Sequence, residues 1–477
     1  MADIISLYNV RRFGATGDGR SDDTAAIEQA IEACAKAGGG TVFFPAGRYL
    51  TAPLRLRSHL RLHLEGGARL TFRDDFAAFG IVKSRWAGHV CHCIQPCLFG
   101  DGLEDVAITG QGFIDGQGQA WWTEFYRMRA EKCREPQTDT ERRLKELNAS
   151  VNVADAVWDE WPRQFLRPPL LQLKDCRRVL LEGITLGNSP FWNTHLLFCQ
   201  DVTVHGVRFA NPPGAPNGDG LDIDSSTRVR VSDCSFDVED DCLCLKSGIG
   251  EGGRRVGRPT EDVVVSNCTM YRGHGGVVLG SDTAGGIRNV TISNCVFHGT
   301  DRGVRIKSRR GRGGFIEAVR FSNILMTDVR CPLVINMYYV SNPDLPTADL
   351  KPRPVDEGTP IVRDISVAGI RARGVSSAAG FLLGLPESPI RGVRLSDVDI
   401  ETVAGSEGWK AAMSCHCPPL AGAGLLARNV ADLRLRDVRV VARRGPALEA
   451  RPARNVQMID CQLTTDDTGP AVVIEEQ

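Results

Sequence analysis

A strand-like phrase that repeats along most of the chain constrains the fold more than any other feature. Val179-Leu180-Leu181-Glu182-Gly183-Ile184 returns as Val202-Thr203-Val204-His205-Gly206-Val207, Val229-Arg230-Val231-Ser232-Asp233-Cys234, Val263-Val264-Val265-Ser266-Asn267-Cys268 and Val290-Thr291-Ile292-Ser293-Asn294-Cys295. Further copies start at Val319, Ile365, Val393, Leu433 and Val456, so that the starts fall 23 to 46 residues apart. Each copy alternates apolar and polar residues and then turns at Asn, Asp or Gly. One copy alone cannot bury its apolar side, whereas stacked copies share a continuous Val/Ile/Leu interior. The expected fold is therefore all-β, a parallel β-helix. At 477 residues the chain exceeds an ordinary compact domain, but a solenoid grows along its axis, so 1–477 is read as one domain. Asn267, Asn294 and Asn323 hold like positions and are expected to stack at a turn, with Cys234, Cys268 and Cys295 beside them.

Two stretches depart from the repeat. Over about 1–50, Asp22-Asp23-Thr24 reads as the start of a helix through Cys34 that stops at Gly38-Gly39-Gly40 and closes the end of the solenoid. Phe13-Gly14-Ala15-Thr16-Gly17-Asp18-Gly19 lacks the Gly-Lys-Ser/Thr ending of a phosphate loop and is a glycine-rich turn. Over about 120–168, Trp121-Trp122, a charged helical run and then Trp158 and Trp161 form an insertion between coils, whose tryptophans serve better as anchors than as sugar platforms.

Composition removes several function classes. With Lys+Arg 57 against Asp+Glu 58, the net charge of -1 offers no field for nucleic acid, and no apolar run is long enough to span a membrane. The N-terminus has neither a basic region nor an apolar h-region, which sets the expectation of a cytoplasmic protein. The 16 cysteines are dispersed and are expected to be reduced and buried. Cys91, Cys93 and Cys97 with His89 and His92 match no zinc spacing, so neither metal nor cofactor is expected.

The chemistry concentrates in the middle of the chain. Asp219, in Asn217-Gly218-Asp219-Gly220, precedes the paired acids Asp240 and Asp241, and Gly273-His274-Gly275 and Arg305-Ile306-Lys307 follow. Coils of a little over 20 residues would bring Asp219 and Asp240 to similar places on neighbouring turns. Crowded carboxylates drive one pKa up, leaving a proton donor beside charged partners, the division of labour of glycoside hydrolysis. A lone Asp would read as a turn residue; three in register do not. Strict alternation aims Asp241 inward, so the backbone must bend or bulge around Asp240 and Asp241, with Gly218 and Gly220 giving similar freedom around Asp219. Arg305 and Lys307 alternate with Val304 and Ile306 onto one outer face, where they suit a sugar carboxylate, with Arg309, Arg310 and Arg312 extending the patch.

These phrases, with Ser189-Pro190-Phe191-Trp192 and Asp240-Asp241-Cys242-Leu243-Cys244-Leu245-Lys246-Ser247-Gly248, resemble the family 28 glycoside hydrolases, the polygalacturonase family, over most of the chain. The resemblance implies a single-stranded right-handed parallel β-helix of the pectin-lyase-like kind and inverting hydrolysis without a metal. It implies Asp240 as general acid, Asp219 and Asp241 as the pair that activates water, His274 as the active-site histidine, and Arg305, Lys307 and Asn217 as substrate ligands. The partner it implies is a galacturonate-containing oligosaccharide or polysaccharide. Ser84-Arg85-Trp86-Ala87-Gly88 and the Trp121-Trp122 insertion are similar to exo-acting members, and the glycine- and arginine-rich stretch from Gly248 to Gly257 reads as a long loop at the cleft rim. The family usually has Thr where this chain has Gly218. Rhamnogalacturonan or rhamnoside hydrolysis within the family, a calcium-dependent pectate lyase, and a non-catalytic carbohydrate-binding β-helix are the alternatives.

Overall fold

The computed structural model describes residues 6–151, 165–340, 344–345, 348–405 and 407–476; Trp158 and Trp161 lie outside them. The chain divides into two compact units, Met1–Asp240 and Asp241–Gln477.

In the first unit short parallel strands stack coil upon coil. The ones that matter for function are β3 (Leu171–Lys174), β4 (Thr194–Leu197) and β5 (Leu221–Asp224). Their register sets Leu173 beside Leu196 and Ile223 on the buried face, and Gln172 beside His195 and Asp222 on the other. Parallel sheets demand apolar interiors, and here Leu173, Leu196 and Ile223 are wholly buried. Phe209 and Phe236 stack face to face on successive coils at 4.7 Å. The residue directly after each of these strands turns the corner in the left-handed region: Asp175, Phe198 and Ser225 lie at φ 51°, 58° and 50°.

Helix α1 (Thr24–Lys36) packs Ala26, Ile27, Ala30, Ile31 and Cys34 inward at helical spacing. Asp23 sits at its N-cap but folds the glycine-rich turn instead, accepting from the Thr16 and Gly17 amides at 2.7 and 3.1 Å, while Asp22 accepts from the Thr24 amide at 3.0 Å. The insertion forms α2 (Gln119–Ala130) and α3 (Asp139–Leu147). Trp121 is fully buried against Phe76, Phe79 and Phe165, and Trp122 Nε1 donates to the Ser189 carbonyl at 2.9 Å. Both tryptophans are anchors.

The second unit repeats the scheme with β6 (Asp241–Lys246), β7 (Gly275–Gly280), β8 (Arg302–Lys307) and β9 (Cys331–Asn336). Leu245, Leu279, Ile306 and Ile335 line up inside, and Cys244, Val278, Arg305 and Val334 line up outside. Asn267, Asn294 and Asn323 occupy the left-handed corner at φ 56°, 56° and 52°, and Asn323 Nδ2 donates to Asn294 Oδ1 at 2.8 Å. Asparagine tolerates that conformation and stacks between coils, which explains its recurrence. The stretch after Gly248 is a one-turn-plus helix, Gly250–Val256.

Candidate active site

In the second unit, Asp241, Arg305 and Lys307 come together. Asp241 opens β6 with 1% of its surface exposed. Arg305 Nη1 donates to Oδ1 at 2.7 Å and Lys307 Nζ to Oδ2 at 2.6 Å. The chain bends at Glu239 and Asp240, and the pairing from Asp241–Gly275 to Leu245–Leu279 runs without a shift. Asp241 has the parity of the inward Leu243 and Leu245 yet meets Arg305 and Lys307 on the outer face, so the alternation breaks at the start of the strand. Gly275 lies opposite it, and a Cβ there would stand 3.2 Å from Asp241 Oδ1 and 2.5 Å from Val278 Cγ2. Burial pushes the Asp241 carboxyl up, but Lys307, Arg305 and then Lys246 pull it far below the carboxylate range, so it is always charged. Burial and Arg305 lower the Lys307 ammonium; Asp241 more than offsets them and its pKa is raised. Tyr339 lies 5.8 Å from the Arg305 guanidinium and 5.1 Å from Lys307 Nζ.

The cations are thus not solvated. Both are buried and already engaged by a carboxylate. Nor do their neighbours form an exposed patch: Arg310 grips Glu387 at 2.6 and 2.9 Å, and Arg309 and Arg312 are buried. His274 presents an exposed side chain, and its carbonyl lies 3.5 Å from Arg305 Nη1.

The first unit places Asp219 just before β5, 3% exposed, with Asp240 half-buried at the unit's end. The left-handed residue here is Asn217, at φ 55°, and neither Gly218 nor Gly220 has positive φ. Gly218 is required for space instead, since a Cβ would stand 2.9 Å from the Ala215 carbonyl and 3.2 Å from Asn211 Nδ2. Asn217 turns its Oδ1 to Arg167 Nη2 at 2.8 Å.

A buried polar network that sequence reading missed lies on the outer face of β3 to β5. The hairpin of β1 (Ile81–Trp86) and β2 (His89–Ile94) covers that face. Ser84 donates to Gln172 Oε1 at 2.7 Å, and Arg85 Nη1 donates to Asp224 Oδ1 at 2.5 Å and Ser225 Oγ at 2.9 Å. Gln172 Nε2 lies 2.8 Å from His195 Nδ1, and His195 Nε2 lies 3.2 Å from Asp224 Oδ2. The Arg85–Asp224 ion pair is the charged centre of this network. Around it Val82, Trp86, Cys91 and Cys93 pack with Phe99, Leu166, Phe191 and Trp192. Burial raises the Cys91 thiol to about 12 and lifts Cys93 and Cys97 as well, so these are protonated core thiols.

The sequence profile of Glycosyl hydrolases family 28 matches residues 154–421. The chain belongs to glycoside hydrolase family 28. It is 30% identical over 402 residues to a probable polygalacturonase of Vitis vinifera, covering 82% of this chain and 74% of that one. An exopolygalacturonase of Zea mays is 24% identical, with 83% of each chain covered. Among solved structures, an exopolygalacturonase from Thermotoga maritima overlays with a TM-score of 0.69 at 24% identity, spanning 98% of this chain and 91% of that one. Residues 7–84 also match the profile Rhamnogalacturonase A/epimerase, pectate lyase-like. The protein is a parallel β-helix glycoside hydrolase of the polygalacturonase family.

Proposed function

We propose that this family 28 hydrolase cleaves α-1,4-galacturonosidic bonds of polygalacturonate or oligogalacturonides with inversion, acting from chain ends and releasing galacturonate. The observation that carries this reading is the Asp241 carboxylate clamped between Arg305 and Lys307. A carboxylate so held cannot donate a proton, and of the two acids that remain, Asp219 and Asp240, the family resemblance gives the donor role to Asp240. Asp241 orients the attacking water, and Asp219 takes its proton as the bond to the anomeric carbon forms while Asp240 protonates the departing glycosidic oxygen. A uronate carboxylate arriving at Arg305 and Lys307 shares both cations with Asp241 and returns basicity to it. A neutral sugar has no such effect, which favours galacturonate over rhamnose at the cleaved bond.

End-wise action is supported by the β1–β2 hairpin, which closes the outer face of the first unit over Gln172 and His195, and by the similarity to the maize exopolygalacturonase. Digestion of trigalacturonate and polygalacturonate with chelator present tests the reading. From polygalacturonate, galacturonate as the sole small product at the outset is expected, and from trigalacturonate equal amounts of galacturonate and digalacturonate, without ultraviolet-absorbing product; mixed oligomers from polygalacturonate would refute chain-end action, and an unsaturated or calcium-dependent product would mean a lyase. Asp240→Asn is expected to lower kcat by about 10²–10⁴-fold while binding persists.

A further inference from the structure

Arg167 is 1% exposed and sits where four segments of the first unit meet. Its Nη1 donates to the carbonyls of Pro190 at 2.7 Å and Pro216 at 2.6 Å, and its Nη2 to Asn217 Oδ1 at 2.8 Å. The guanidinium lies over Phe125 of α2 at 4.2 Å and Phe191 at 5.1 Å, and its own carbonyl accepts from Trp86 Nε1 at 2.9 Å. All three of its acceptors are neutral, and among the described residues no carboxylate lies within ion-pair distance. A buried cation without a paired carboxylate is costly. Burial accordingly drags the guanidinium to about 9, with Tyr126 and Asp219 opposing the shift. A purely structural filler would do better as an apolar side chain of the same length, so the fork itself must be needed.

What the fork fixes is the loop that carries Asp219. Pro216 and Asn217 immediately precede Gly218-Asp219, and the Asp219 carbonyl is tied in turn to the Asn193 amide at 2.8 Å. We infer that Arg167 is the positioning residue for Asp219, with Asn217 as the handle it grips, so that Asn217 acts through the loop and not on the sugar. This rests on the hydrolytic role proposed for Asp219.

Steady-state kinetics on trigalacturonate separate the possibilities, with turnover by the unaltered protein first establishing the hydrolytic reading. Arg167→Met is expected to lower kcat about 100-fold with KM within threefold, because an ångström of misplacement costs that much. Arg167→Lys, which keeps the charge and loses the fork, is expected to fall between. Asn217→Gly keeps the left-handed turn and loses Oδ1, and is expected to lower kcat with KM unchanged. Phe125→Leu, which removes a ring from the guanidinium but none of its hydrogen bonds, should lower Tm and leave kcat within twofold. A rise in KM for Asn217→Gly without loss of kcat would overturn the inference, as would a fall in kcat for Phe125→Leu equal to that of Arg167→Lys. Should Arg167→Met not fold, the Lys and Gly variants decide alone.

Discussion

At the scale of single residues, the decisive contact is the double clamp on Asp241, and its removal has a calculable sign. Lys307→Met takes one of the two clamping cations from the carboxylate at a site where both side chains are almost fully buried. Breaking a buried pair from one side costs about 3–5 kcal/mol, so chemical denaturation should show a loss of that order, with uronate turnover falling as well. Gly218→Thr, the residue usual in the family, is expected to lower Tm by several degrees, because its Cβ meets the Ala215 carbonyl. An unchanged Tm would show that the 211–220 loop relaxes. The cationic pair and its outward parity were legible from Val304 and Ile306 alone. That the two cations would be occupied by Asp241 was not, because strict alternation gives Asp241 the inward parity of Leu243 and the break in that alternation has no mark in the sequence. Arg167, His195 and Asp224 gave no local signal: each is an isolated polar residue whose partners come from distant coils.

At the scale of elements, the β1–β2 hairpin is held by one buried ion pair, Arg85 with Asp224. Burial raises the Asp224 carboxyl, and Arg85 and His195 outweigh it to bring the pKa to about 2, below the ordinary 3.8. A depressed acid contributes its stability above the unfolded value of about 3.9 and loses it as pH falls from there through about 2, an effect on the order of 2 kcal/mol. Urea midpoints of the unaltered protein should therefore drop more steeply between pH 5 and pH 2 than those of Asp224→Asn; parallel curves would remove the pair from the account. Arg85→Met removes the cation that balances the Asp224 carboxylate and should release the hairpin, seen as faster proteolysis within residues 81–94 and as oligomers among the products. The phrase Ser84-Arg85-Trp86 marked this segment in the sequence, while its burial depended on Asp224, 139 positions away.

At the scale of the whole molecule, the repeat alone carried the architecture. Val, Ile and Leu at period two require a shared interior, and the Asn, Asp or Gly that ends each phrase suits a corner in the left-handed region, as at Asn267, Asn294 and Asn323. Balanced charge, buried cysteines and the order of acids and cations then narrowed the chemistry to an acidic polysaccharide. The reaction's stereochemistry belongs to this scale, because it depends on how the water and the leaving oxygen are placed across the sugar. Proton NMR of the first galacturonate released from trigalacturonate, read before mutarotation, tests it most directly. The account predicts the β-anomer of the monomer; the α-anomer would contradict it.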